Sequence, residues 1–191
     1  MALFRLALLL VLTLSLTFPA YAQETAPATS PIYGGIQIGL ARYSVPEQSF
    51  GGFTLSADPI TGFALTGTLG VEAVPGVSGV LLPVVTILTN DGESVTLGGA
   101  TLAARFQLRQ SGTLVAPYID GGYTFMGALN SEAENLSSRG ITIGGGIAVL
   151  PSGRRGFTLD VRFYPLATGP DDFRLDENLL IFSVGVVGFG Q

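Results

Sequence analysis

The sequence predicts an all-β protein, an eight-stranded antiparallel up-and-down transmembrane β-barrel, and three observations carry that expectation. The 191-residue chain is 47% hydrophobic and 12% charged, with 27 glycines and a mean hydropathy of +0.51. Past the N-terminal segment it has no apolar run of the roughly 18 residues a membrane helix needs. Its apolar residues instead recur at every second position, the period of a strand with one greasy face.

The N-terminal segment is set apart first. Met1 to Arg5 is a short basic start, Leu6 to Phe18 an apolar run too short to span ~30 Å of hydrocarbon, and Ala20-Tyr21-Ala22 an A-x-A cleavage site. Residues 1–22 are therefore expected to be a signal peptide cleaved after Ala22, with Ala20 and Ala22 as the small-residue pair. Residues 23–31 (QETAPATSP) form a polar leader, and 32–191 a single barrel domain.

The strands follow in order. In 33–44, Ile36, Ile38 and Leu40 oppose Gly35, Gln37, Gly39 and Ala41; in 61–73, Phe63, Leu65, Leu69 and Val71 oppose Ala64, Thr66, Thr68, Gly70 and Glu72. Segment 79–89 is apolar on both faces and carries Pro83, which removes a ladder donor, so a bulge or shift is expected there. Asn90-Asp91-Gly92 is a hairpin signal leading into 94–109. Segment 114–127 comes next, and in 140–150 Ile141, Ile143, Ile147 and Val149 oppose Thr142, Gly144, Gly146 and Ala148. In 156–166, Phe157, Leu159, Val161 and Phe163 oppose Thr158, Asp160, Arg162 and Tyr164, and 179–190 closes the set. Most segments approach the 9–11 residues of a tilted membrane strand, and eight is the smallest usual number for an outer-membrane barrel.

The connections at 74–78, 110–113 and 151–155 are short, while 45–60, 128–139 and 167–178 are longer. Short periplasmic turns and long outer loops are the asymmetry of bacterial membrane barrels, although the third connection, between 79–89 and 94–109, is short too and breaks the pattern. The strand charges Glu72, Arg105, Arg109, Asp120, Asp160 and Arg162 sit opposite the greasy face. A soluble, lipocalin-like periplasmic barrel would need that polarity outside and would be left with too apolar a surface. Tyr43, Tyr118, Tyr123, Phe125, Phe163, Tyr164 and Phe182 are the candidates for interface girdles, since the chain has no Trp.

These residues bear a resemblance. The stretch from Arg105 to Phe125, RFQLRQSGTLVAPYIDGGYTF, resembles the arginine-aromatic strand, short turn and Pro-Tyr-apolar-x-Gly-Gly-Tyr strand of small outer-membrane barrels of the OmpA-like/OmpX-like class. GITIGGGIAV and GFTLDVRFYPL are similar to the two strands that follow it. The resemblance implies a Gram-negative outer-membrane location, lipid and the outer-membrane insertion machinery as partners, and no cofactor. One departure is the end of the chain, where the last aromatic is Phe189 rather than the terminal residue.

Several chemistries are excluded. With no Cys and no His there is no disulfide, thiolate site, His-ligated zinc or histidine-dependent triad. A net charge of −5, with all nine basic residues arginine, gives no basic stripe for nucleic acid. No catalytic, cofactor-binding or metal site is expected. The acidic run Asp171, Asp172, Asp176 and Glu177 lacks the spacing of a calcium loop and reads as solvated, as do Glu132 and Glu134. Gly144-Gly145-Gly146 reads as space for packing, because no Lys follows and its context is a strand. The candidate site is a lumen charge network of Glu72, Arg105, Asp120, Asp160 and Arg162, expected to plug an interior that side chains just fill. The expected function is structural or surface-interacting, through exposed outer loops and an unidentified extracellular or envelope partner. The alternatives are a narrow channel for small or hydrophobic solutes and the soluble periplasmic binding barrel.

Overall fold

The computed structural model describes residues 32–50, 53–90, 92–108, 114–129, 137–150, 155–169 and 175–189. The expected signal peptide with Ala20 and Ala22, the leader, Arg109, Glu132, Glu134, Asp171 and Asp172 lie outside the described residues. Eight strands run β1 (Ile32–Phe50), β2 (Phe53–Val74), β3 (Val77–Asn90), β4 (Glu93–Gln107), β5 (Val115–Ala128), β6 (Ser137–Val149), β7 (Arg155–Thr168) and β8 (Leu175–Phe189). Each pairs antiparallel with its sequence neighbours, and β8 closes on β1. The closed barrel leaves no free edge, the condition for placing a sheet in lipid.

Register sets the shape. A row of paired residues from Glu72 passes through Ser78, Arg105, Asp120, Gly144, Arg162, Ile181 and Ala41 and returns to β2 at Gly62, a stagger of ten residues. With eight strands about 4.8 Å apart and a rise of about 3.4 Å per residue, that stagger tilts the strands by roughly 40°.

Alternation decides what each strand shows to either side. Burial on β3 alternates strictly from Ser78 to Thr89. Phe63 is 71% exposed and Leu69 58%, while their neighbours Ala64, Thr66, Thr68 and Gly70 are buried. The eight steps from Phe63 to Val71 rise about 21 Å at that tilt, close to the ~25 Å apolar band of membrane barrels. At one edge the band ends on paired Arg42, Thr61, Thr89 and Ser94.

Four expectations change. The segment 45–60 is not a long loop: β1 and β2 remain paired out to Phe50 and Phe53, with register irregularities between Tyr43 and Gln48. Beyond the lipid band nothing enforces apolar alternation, so the pairing continues unseen by that signal. Pro83 causes no bulge, since the β3–β4 register runs unbroken through Pro83↔Ala100 and the β2–β3 register resumes unshifted on either side. Its ring faces Gly67, where a Cβ would lie 2.8 Å from the Pro83 Cγ. The proposed girdle divides by parity: Tyr123, Phe125, Phe163 and Phe182 face outward, whereas Tyr118 and Tyr164 are buried inside and Tyr43 packs against an interior cluster. The acidic run 171–177 is not wholly a solvated loop, because Asp176 and Glu177 belong to β8 and Glu177 points inward, buried.

Candidate functional site in the barrel lumen

The inward residues of β4, β5 and β7 bring four charges together. Arg105 donates to Asp120 Oδ2 through Nε at 3.1 Å and Nη2 at 2.8 Å. Arg162 reaches the same carboxylate from the other side, Nη1 to Oδ1 at 2.8 Å and Nη2 to Oδ2 at 3.1 Å, and also donates to Asp160 Oδ2 at 2.8 Å. Two guanidinium and two carboxylate groups leave the cluster neutral, as burial at this depth requires. All four residues are at most 4% exposed.

The cluster depends on a residue that carries no charge. Asp120 and Arg162 stand on strands separated by β6, and the position between them in the row is Gly144. A Cβ there would lie 2.7 Å from Asp120 Oδ1 and 2.9 Å from Arg162 Cγ. The absent side chain is the space through which Arg162 crosses to Asp120. Tyr118, two residues before Asp120 and so on the same face, donates its hydroxyl to Asp160 Oδ2 at 2.6 Å. Its ring lies 4.0 Å beneath the Arg105 guanidinium carbon, a cation–π contact.

Sequence reasoning thus named Arg105, Asp120, Asp160 and Arg162 but missed Tyr118, whose inward parity with Asp120 was the available signal. Glu72, the fifth candidate, stands at the start of the row, with Ser78 between it and Arg105. Its carboxylate accepts from the backbone N–H of Gly76 at 2.7 Å and so holds the β2–β3 turn.

The rest of the interior is layered. The hydroxyls of Thr101, Thr124 and Thr142 are linked in a chain, and Gln37 donates to Thr158 at 3.0 Å. At the end where β1 begins and β8 finishes, which in barrels of this kind is the periplasmic end, Tyr33, Val80, Leu82 and Val187 pack together, with Phe189 against Tyr33 at a ring separation of 5.2 Å. Toward the outer end the filling is apolar, including Val84, Leu88, Met126, Tyr164, Leu179 and Ile181. The expected polar lumen is therefore polar only through its middle, and the inward residues of 79–89 enter both apolar storeys, Val80 and Leu82 the first and Val84 and Leu88 the second, which is why that segment is greasy on both faces. At the outer mouth Ser138 donates to Glu177 at 3.0 Å and bonds Thr168. Among the described residues no three potential metal ligands gather.

No family model and no curated protein matches this chain. Among solved structures, Neisserial surface protein A is similar with a TM-score of 0.63 at 14% identity, covering 85% of this chain and 99% of that one. The outer membrane protein OprG from Pseudomonas aeruginosa is similar with a TM-score of 0.56 at 13% identity, covering 85% and 97%. The fold is that of a small outer-membrane β-barrel. The apolar wall and charged interior agree with it, since a closed barrel greasy outside and polar within suits the outer membrane and inverts the polarity of a lipocalin-like soluble barrel.

Proposed function

We propose that this outer-membrane barrel is a closed, non-enzymatic wall element that acts through the surface it presents outside the cell. The observation that carries the reading is Asp120, clamped between Arg105 and Arg162 from opposite sides. Opening a path would strip one guanidinium from a buried carboxylate, a change that costs several kcal/mol. The apolar layers above and below add two further barriers to a hydrated ion. What remains for contact is the outer end, where the paired extension of β1 and β2 runs beyond the lipid band to Phe50 and Phe53. Membrane lipid and the outer-membrane insertion machinery are the partners this reading requires, and an extracellular or envelope partner meets the outer connections.

The test is conductance. Purified, refolded protein in planar bilayers is expected to give no stable single-channel current. Large steady currents would replace this reading with the narrow channel.

A further inference from the structure

We propose that the outer wall carries a binding site for an anionic, phosphate-bearing lipid of the outer leaflet, with Arg42 holding the headgroup and a groove beneath it holding an acyl chain. The groove measures about 500 Å³ and is lined by Leu40, Phe63 and Phe182 in its apolar part and by Arg42, Thr61 and Thr89 at its polar edge. Register makes this one continuous patch: Leu40 pairs with both Phe63 and Phe182, Arg42 with Thr61, and Thr61 with Thr89.

The order of chemistry along the wall, apolar and then cationic and hydroxyl-bearing, matches that of a lipid chain and its headgroup. Leu40, Phe63 and Phe182 are more than half exposed and belong to the band that faces hydrocarbon. Arg42 lies two residues further along β1, at the edge where that band ends, on the same outward face. It is exposed and has no ion pair among the described residues. A guanidinium at this depth faces the headgroup layer, where its fork suits phosphate oxygens, and the Thr61 and Thr89 hydroxyls add donors beside it. Arg139 provides the internal comparison: it too is exposed near the outer end, on β6, but pairs with Phe125 and Ala167 and does not border this groove. The proposal concerns the outer wall and stands whether or not the lumen conducts.

The experiment uses the mature barrel in nanodiscs containing equal amounts of dimyristoyl phosphatidylglycerol and dimyristoyl phosphatidylcholine, which share their chains. Native mass spectrometry after release reads which lipid stays bound. Phosphatidylglycerol is expected to be retained over phosphatidylcholine by about five-fold, the preference one arginine near a headgroup supplies. Arg42→Ala should abolish the preference and Arg139→Ala should keep it. Heat-dependent gel mobility checks that both variants are folded. Equal retention of the two lipids by the unmodified protein, or equal loss in both variants, would overturn the proposal, the second because it reports diffuse rim charge.

Discussion

Removing Arg162 tests the lumen cluster most directly. Its side chain is 1% exposed and makes ion pairs of 2.8 Å with both Asp120 and Asp160. In Arg162→Met the volume is largely kept but the cluster goes from neutral to a net −1. Asp120 keeps Arg105, whereas Asp160 keeps only the Tyr118 hydroxyl. Stranding one buried carboxylate in this way costs about 3–5 kcal/mol. Adding Asp160→Asn restores neutrality around the remaining Arg105–Asp120 pair and lets the amide oxygen accept from Tyr118. The double variant should therefore recover at least about 2 kcal/mol of the loss, within the range of coupling energies for directly bonded residues.

The assay is urea unfolding of the barrel in lipid vesicles, followed by far-UV circular dichroism and by gel mobility of unheated samples, since the chain has no Trp to report. Free energies come from linear extrapolation with unchanged slopes. The reasoning is refuted if Arg162→Met lies within about 1 kcal/mol of the unmodified protein, well short of the expected penalty. It is equally refuted if the double variant loses the sum of the two single losses, since additivity would mean that the pair does not interact.

Two further outcomes follow from the same geometry. Leu102→Arg, at a 65% exposed position midway along the lipid-facing side of β4, should cost about 2–4 kcal/mol in vesicle unfolding, whereas a surface arginine on a soluble barrel would be nearly neutral; a change under about 0.5 kcal/mol would contradict the lipid-facing wall. Gly144→Ala, which drives a Cβ to 2.7 Å from Asp120 Oδ1, should lower stability by about 1–3 kcal/mol in the same assay, while Gly121→Ala, with its nearest such contact at 3.8 Å, should change it far less; equal effects would show that Gly144 is not the passage for Arg162.

What could be read in the sequence was whatever the lipid enforces. From Phe157 to Tyr164 every second residue must be apolar because hydrocarbon lies on one side, so both the strand and its inward face are legible from the pattern alone. The same parity marked Arg105, Asp120, Asp160 and Arg162 as interior. Which of them meet could not be read that way, because the bond from Arg162 to Asp120 crosses β6 and depends on a register that brings Gly144 between them. Glu177 escaped for the opposite reason. It lies near the outer end of β8, where Ser138 of β6 and Thr168 of β7 supply its surroundings, and nothing in the local run of acids distinguishes it from a solvated loop.

The layered interior gives the ion cluster a role beyond closing the lumen. A barrel in lipid has apolar surroundings outside, so an apolar interior offers a strand little reason to prefer one face over the other. β3 is that case, with Val80, Leu82, Val84 and Leu88 inside and Leu81, Val85 and Ile87 outside. Its neighbours remove the ambiguity: β2 turns Thr66 and Thr68 inward, and β4 turns Thr101 and Arg105 inward, so β3 can pair with both in only one parity. A slip of one residue on β7 would turn Asp160 and Arg162 into hydrocarbon, at up to about 2–4 kcal/mol for the arginine alone, besides the loss of their partners. A network tuned for stability alone would give way to apolar side chains of similar volume, whereas one that holds the register needs its charges on the correct side of the wall.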